Sequence, residues 1–169
     1  MLEGKKLVVG WFSFTCCEDS TILLTEMLND HLVEWKKVVD FKYLKALKAK
    51  NSMDGGFDVA FIEGAVSSPK QEAEVKKIRE SSKYVVAIGA CANTGMPSSS
   101  RNEFIDEELN DKIRWYLSNF DYSAKVRKLE DVIKIDDRVP GCPMNPKLFL
   151  EVLNKYLVIF NIINKTNDQ

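Results

Sequence analysis

Short, almost wholly apolar runs alternate along this chain with segments of helical period, and that alternation leaves few architectures open. Leu7 to Phe12 (LVVGWF), Phe57 to Ile62 (FDVAFI) and Tyr84 to Gly89 (YVVAIG) are rich in β-forming residues with hardly a polar break. A strand that is apolar at odd and even positions alike must be covered on both faces, the habit of parallel sheets sandwiched between helices. Lys37 to Phe41 reads as a shorter strand and Val132 to Ile135 as a short last one.

Helical patterns fill the gaps. Glu18 to Val33 spaces Leu24, Leu28 and Leu32 four apart, with Asp19 or Ser20 suited to the N-cap. Ser68-Pro69-Lys70-Gln71 joins a cap, a proline for the first helical position and a capping-box glutamine. Asp106 to Phe120 is helical but less regular. Asn145-Pro146 opens a final helix with Phe149, Val152, Leu153, Tyr156 and Phe160 on its apolar stripe. The expected fold is therefore α/β, an open parallel sheet with helices on both faces, in one domain over residues 1–169. Lys42 to Lys50 reads as a solvated helix face. Leu157 to Ile163 reads as a helix apolar nearly all round, one face packing on the sheet and the other open to a partner.

Composition narrows function. Lys and Arg total 24 against 25 Asp and Glu, a formal charge of −1, which argues against a nucleic-acid surface. The longest apolar stretch, Tyr156 to Ile163, is broken by Asn161 and falls far short of the ~20 residues that span a bilayer. The N-terminal apolar run reaches two cysteines without a small-residue cleavage site, so a cytoplasmic protein is expected. His31 is the only histidine, which excludes histidine-built metal clusters; beside Leu28 and Leu32 it reads as a packing or surface residue. Neither G-x-G-x-x-G nor a P-loop is present, so the fold class alone does not imply a nucleotide or flavin.

The four cysteines carry the functional signal. Cys16, Cys17, Cys91 and Cys142 each fall just beyond the carboxyl end of an expected strand. Open α/β sheets bind ligands in the crevice outside those ends, so the fold would gather all four at one edge. Three readings compete. The cysteines are buried small hydrophobes, or disulfides, which a cytosolic chain of this size neither needs nor easily keeps, or metal ligands. Zinc would usually show paired Cys-x-x-Cys knuckles, absent here, whereas an iron–sulfur cube accepts thiolates from dispersed loops. Gly89-Ala90-Cys91 and Pro140-Gly141-Cys142-Pro143 supply glycine-bearing backbone. Helices expected after Cys17 and Cys142 would turn free N–H groups toward an anion and lower the thiol pKa.

Thr15-Cys16-Cys17-Glu18, Gly89-Ala90-Cys91-Ala92 and Pro140-Gly141-Cys142-Pro143 together resemble the proximal-cluster motifs of NiFe-hydrogenase small subunits and of the homologous 20-kDa-type subunit of respiratory complex I. The resemblance covers roughly Lys5 to Lys155. It implies a flavodoxin-like domain holding one 4Fe-4S cluster through Cys16, Cys17, Cys91 and Cys142, set against a large partner subunit that in hydrogenases carries the NiFe centre. The adjacent cysteines are similar to the complex I branch. Ile62-Glu63-Gly64-Ala65-Val66 and Cys91-Ala92-Asn93-Thr94-Gly95-Met96-Pro97 lean toward soluble, multi-subunit hydrogenases. On that match the chain is an electron-transfer subunit without turnover of its own. Four cysteines suffice for one cluster, so electrons would leave through a further iron–sulfur or flavin relay subunit. A non-redox α/β scaffold with structural cysteines is the alternative from another class.

Glu18 and Glu63 read as groups beside the cluster or on a proton path, with a first-turn helix acid as the plainer role for Glu18. Gly141 supports the Cys142 bend. Met96 and Met144 read as packing around the cluster, Trp11 as core, and Phe12 and Phe14 as wall or core. Arg101 reads either as a bridge to the partner or cluster or as a solvated loop residue.

Overall fold

The computed structural model describes residues 4–104 and 109–164. Strand β1 (Leu7–Ser13) leads to α1 (Asp19–Val38) and β2 (Val39–Leu44). Then come β3 (Phe57–Glu63), α2 (Pro69–Glu80), β4 (Ser82–Ile88) and the short α3 (Gly89–Thr94). A segment containing a 3₁₀ turn at Ser98–Glu103 and helix α4 (Asp111–Asn119) precedes a 3₁₀ turn at Leu129–Asp131, β5 (Asp137–Val139) and α5 (Pro146–Ile159). The strands form one sheet in the order β2-β1-β3-β4-β5, every pair parallel. This is the flavodoxin-like order, whose reversal at β1 and β3 opens a crevice at the carboxyl ends.

Strand β3 is buried along its whole length and divides the core. Val59 and Phe61 face α1 and α5, packing with Trp11, Trp35 and Phe149; Ala60 and Ile62 face α2 and the Leu129 turn, packing with Val75, Ile78 and Ile133. Phe149 sits at the centre of an aromatic group, with ring centroids 5.3 Å from Phe61, 5.9 Å from Trp11 and 6.1 Å from Trp35. Tilted and edge-on contacts of this kind add to simple area burial.

Local signals fix the starts of two helices. Ser68 Oγ accepts the Gln71 N–H at 3.2 Å and Asn145 Oδ1 accepts the Leu148 N–H at 3.0 Å, each followed by proline at the first helical position. The Gln71 side chain bonds back to Ser67 N rather than Ser68 N, one residue outside the expected box.

Four expectations are corrected. Helix α1 is capped by neither Asp19 nor Ser20: Glu18 holds the cap position at φ 64° without a side-chain cap bond. Val132 to Ile135 is not a strand. Val132 closes the 3₁₀ turn, and Ile133 drops into the core beneath β4. The edge strand is the polar Asp137–Val139, held by pairing with Val86–Ile88. Lys42 to Lys50 is no helix; β2 runs through Leu44 and a turn follows. As a sheet edge, β2 carries lysine for the reason edges do, to resist further strand pairing. Helix α5 stops at Ile159, after which Phe160, Ile162 and Ile163 fold back on the core, so little of the expected partner face remains. Helix α4 begins at Asp111; residues 106–108 of the expected helix lie outside the described residues. His31 stacks on Trp35 at 5.1 Å, a packing role. Among the described residues no helix is long and apolar enough to cross a membrane.

Candidate metal centre

Three loops meet at the carboxyl ends of β1, β4 and β5. They place Cys16, Cys17, Cys91 and Cys142 around one cleft, with Glu63 and Gly141 in its wall. All four are free thiols. They differ in setting. Cys91 is buried and Cys16 half-buried, and both pack with Ala65 and Val126. Cys17 and Cys142 are exposed. Ser98 Oγ donates to Cys91 Sγ at 3.3 Å, a polar contact to the most deeply buried of the sulfurs.

Glu63 explains how the loops stay in place. It ends β3, is 3% exposed, and its carboxylate accepts the backbone N–H of Ser20 (2.9 Å) and Thr21 (3.1 Å) and the Thr21 hydroxyl (2.7 Å). A carboxylate from a neighbouring strand thus does the capping that Glu18 does not. Thr21 Oγ1 in turn accepts the Trp11 indole N–H at 2.8 Å. The Ser20 hydroxyl takes the Met144 N–H at 3.2 Å, tying the Cys142 loop to the start of α1. Charge-assisted bonds inside a protein each contribute about 1.5–3 kcal/mol net, so this cluster of contacts outweighs any single cap.

Two glycines have geometric reasons. At Gly64 (φ 95°) a Cβ would lie 2.8 Å from the Phe14 backbone carbon, where Thr15 and Ala65 exchange backbone hydrogen bonds. At Gly141 (φ 118°) a Cβ would meet the Pro143 carbonyl oxygen at 2.4 Å. Only glycine lets the backbone turn so close to the thiols.

The electrostatics reverse one expectation. Burial pushes the Cys16 thiol up to about 12, with the Glu63 charge adding to it and the Glu18 backbone N–H pulling the other way. At Cys17 the Asp19 N–H lowers the pKa, but burial and the Asp19 carboxyl outweigh it, and that thiol also sits above its ordinary value. Glu63 takes the Ser20 and Thr21 N–H groups at the start of α1, which leaves fewer of that terminus's donors for the Cys16 and Cys17 thiols. A cation entering the site would therefore displace protons from sulfur.

Some sequence candidates lie elsewhere. Glu18 is exposed and lines a neighbouring pocket with Tyr43 and Lys45. Arg101 donates to Ser123 O at 2.9 Å and lies over the Tyr122 ring, tying the segment after α4 to the rim. Met96 is 43% exposed, whereas Met144 is buried in the main core, as are Trp11 and, on the opposite face, Phe12. Sequence reasoning missed Ser20 and Thr21, whose partners Glu63 and Met144 are distant in the chain, and Ser98, which reaches back seven residues to Cys91.

A family model described as NADH ubiquinone oxidoreductase, 20 Kd subunit, matches residues 16–156, from the first cysteine to the last turn of α5. The chain belongs to this family. Its relatives include the Sulfhydrogenase 2 subunit delta of Pyrococcus furiosus, 24% identical over 86% of this chain and 60% of the relative. A vhu subunit of the F420-non-reducing hydrogenase of Methanocaldococcus jannaschii is 28% identical over 86% of this chain and 54% of its own length. The chain thus spans little more than half of these curated relatives. In fold it is similar to a chain of an NAD+-reducing [NiFe]-hydrogenase, with a TM-score of 0.74 at 20% identity over 96% of this chain and 100% of that one. A Ni-Fe-Se hydrogenase chain from Desulfomicrobium baculatum gives 0.63 at 18% identity over 93% of this chain and 64% of that one. These two likenesses support the architecture alone.

Proposed function

We propose that the chain is the electron-transfer small subunit of a NiFe-hydrogenase-type oxidoreductase, in which Cys16, Cys17, Cys91 and Cys142 hold one 4Fe-4S cluster. The observation that carries this reading is the convergence of four free thiols from three sequence-distant loops on one cleft, in a member of this family. The donor set fits such a group: all sulfur, with glycine-bearing bends beside Cys91 and Cys142. When bound, the group takes up and gives back one electron at a time.

The chain's own residues set the conditions. Ala65 and Val126 keep water from the Cys16 and Cys91 side, and the Ser98 hydroxyl donates to the Cys91 sulfur, both levers on a reduction potential. Glu63 and Ser20 tie the Cys16–Cys17 and Cys142 loops together, and Ser98 links Thr15 O to the Cys91 sulfur. Cys17 and Cys142 face outward, the side on which a large subunit with a NiFe centre would dock. A further iron–sulfur or flavin subunit would carry electrons onward. A cytoplasmic location belongs to the same proposal, since thiols persist in a reducing compartment.

The hydrogenase branch is supported by relatives that are hydrogenase subunits and by the Glu63-Gly64 segment. The complex I branch draws on the description of the family model and on the adjacent cysteines. A neighbouring large-subunit gene with paired Cys-x-x-Cys motifs near both ends of its product selects the first.

Anaerobic purification or reconstitution tests the assignment. Iron and sulfide are expected at about four each per chain, with broad visible absorption that bleaches on reduction. Cys91→Ser and Cys142→Ser should lose that absorption and the iron while keeping the far-UV spectrum. A folded, partner-bound chain containing zinc and no iron overturns the proposal.

A further inference from the structure

The cleft is not symmetrical, and its outer half contains an oxygen donor that a four-thiol reading does not use. The Cys17 and Cys142 sulfurs and an Asp19 carboxylate oxygen lie within 4.8 Å of one another, all three exposed. On the inner half, Cys16 and Cys91 pack with Ala65 and Val126, and the nearby carboxylate of Glu63 is already occupied by Ser20 and Thr21. Among the described residues no carboxylate closes a metal-sized group with the inner thiols, whereas Asp19 closes one with the outer pair.

We propose that Cys17, Cys142 and Asp19 form a mononuclear site for a divalent transition ion such as Zn²⁺ or Co²⁺, filled when the chain carries no cluster. Two sulfurs on one tetrahedral ion, at about 2.3 Å each, stand roughly 3.8 Å apart, so from a spacing within 4.8 Å a closure of at most about 1 Å completes the site. Exposed side chains at the start of α1 and on the Gly141–Met144 turn make that adjustment by rotation about χ1. Two thiolates and one carboxylate suit a borderline ion, with water in the fourth position. Binding forms two metal–sulfur bonds and one metal–oxygen bond; the two thiol protons pass to solvent and no electron moves. The outer pair would thus take a bare ion first, and Asp19 would give way when all four sulfurs engage a larger group. The inference does not require the iron–sulfur reading.

The test uses the cluster-free chain of residues 1–169 under anaerobic conditions, titrated with Co²⁺ and competed with Zn²⁺. One Co²⁺ per chain with sulfur-to-metal charge-transfer absorption is expected. Asp19→Asn, an exposed change that leaves the fold intact by circular dichroism, should weaken Co²⁺ binding by about tenfold or more. Cys142→Ser should abolish it, and Cys91→Ser should change it by less than about threefold. Unchanged affinity in Asp19→Asn, loss in Cys91→Ser, or no stoichiometric uptake overturns the proposal. Reconstitution with iron and sulfide separates the two readings: Asp19→Asn is expected to load iron as the native chain does. A chain that binds Co²⁺ through the triad but assembles no cluster would remove the electron-transfer reading and leave this one standing.

Discussion

The two rims of the sheet share a core and differ in how they treat polar groups. At the amino rim, side chains close the chain on itself. Asp58 accepts the Val8 N–H at 3.0 Å and an ion pair from Lys83 at 2.7 Å. Asp136 accepts the Val85 N–H at 2.8 Å and the Arg79 guanidinium at 2.5 Å, while Arg79 also reaches the carbonyls of Ser82 and Lys83. At the carboxyl rim the sulfurs are held by few contacts: Cys16 Sγ donates to Phe14 O at 3.7 Å and Ser98 Oγ donates to Cys91 Sγ at 3.3 Å. One rim is closed by carboxylates paired with cations and backbone N–H groups; the other, anchored by Glu63, gathers its thiols with no cation paired to them among the described residues. The difference shows that a site is recognised by what its scaffold leaves unpaired as much as by the residue types present.

The contrast can be broken by experiment. The largest effect concerns reactivity: a rise from 9.0 to about 12 cuts the Cys16 thiolate fraction about a thousandfold near pH 8. In the folded, cluster-free chain, alkylation at pH 8 should therefore spare Cys16 while labelling exposed Cys142. Labelling of Cys16 should recover only as pH climbs toward 12 or in denaturant, and peptide mapping reads it. Equal labelling at pH 8 would remove the inner–outer distinction.

Glu63→Ala comes next. It strands two buried N–H groups and the Thr21 hydroxyl, so denaturant unfolding should show a loss of about 2–4 kcal/mol. Iron retention should fall as well, because the Cys16–Cys17 and Cys142 loops lose their common anchor. Asp136→Ala at the opposite rim should cost about 1–3 kcal/mol, with iron content unchanged. A drop in iron there would show that the rims are coupled through β4. Lys83→Ala is the smallest: its ammonium is exposed, and an exposed ion pair contributes about 0–1 kcal/mol. Chemical denaturation with parallel iron assay covers all three.

Much of the scaffold could be read from local pattern. Continuous apolar runs marked β1, β3 and β4, and the Ser68-Pro69 and Asn145-Pro146 starts of α2 and α5 were explicit because a cap and its proline act within four residues. Strand β5 was misplaced because an edge strand is held by one neighbour and needs no apolar run, whereas Val132 to Ile135 is apolar for a different reason, the burial of Ile133 under the sheet. The true cap of α1 was hidden because its acceptor lies more than forty residues away in β3. Of the site, the cysteines and Glu63 were visible; Ser20, Ser98 and the pairing of Asp19 with Cys17 and Cys142 were not.

By itself, then, the sequence determined an open parallel α/β sheet, since doubly apolar strands can satisfy their burial in few other ways. It also determined that the cysteines fall after strands, because strand ends are set by where the apolar runs stop. The tertiary structure alone decided which thiols are sheltered and which face outward, and that a buried glutamate rather than a local cap fixes the cysteine loops. Those outcomes depend on contacts between residues far apart in the chain, on desolvation and on the approach of one loop's backbone to another, and such contacts come into being only when the sheet closes around its core.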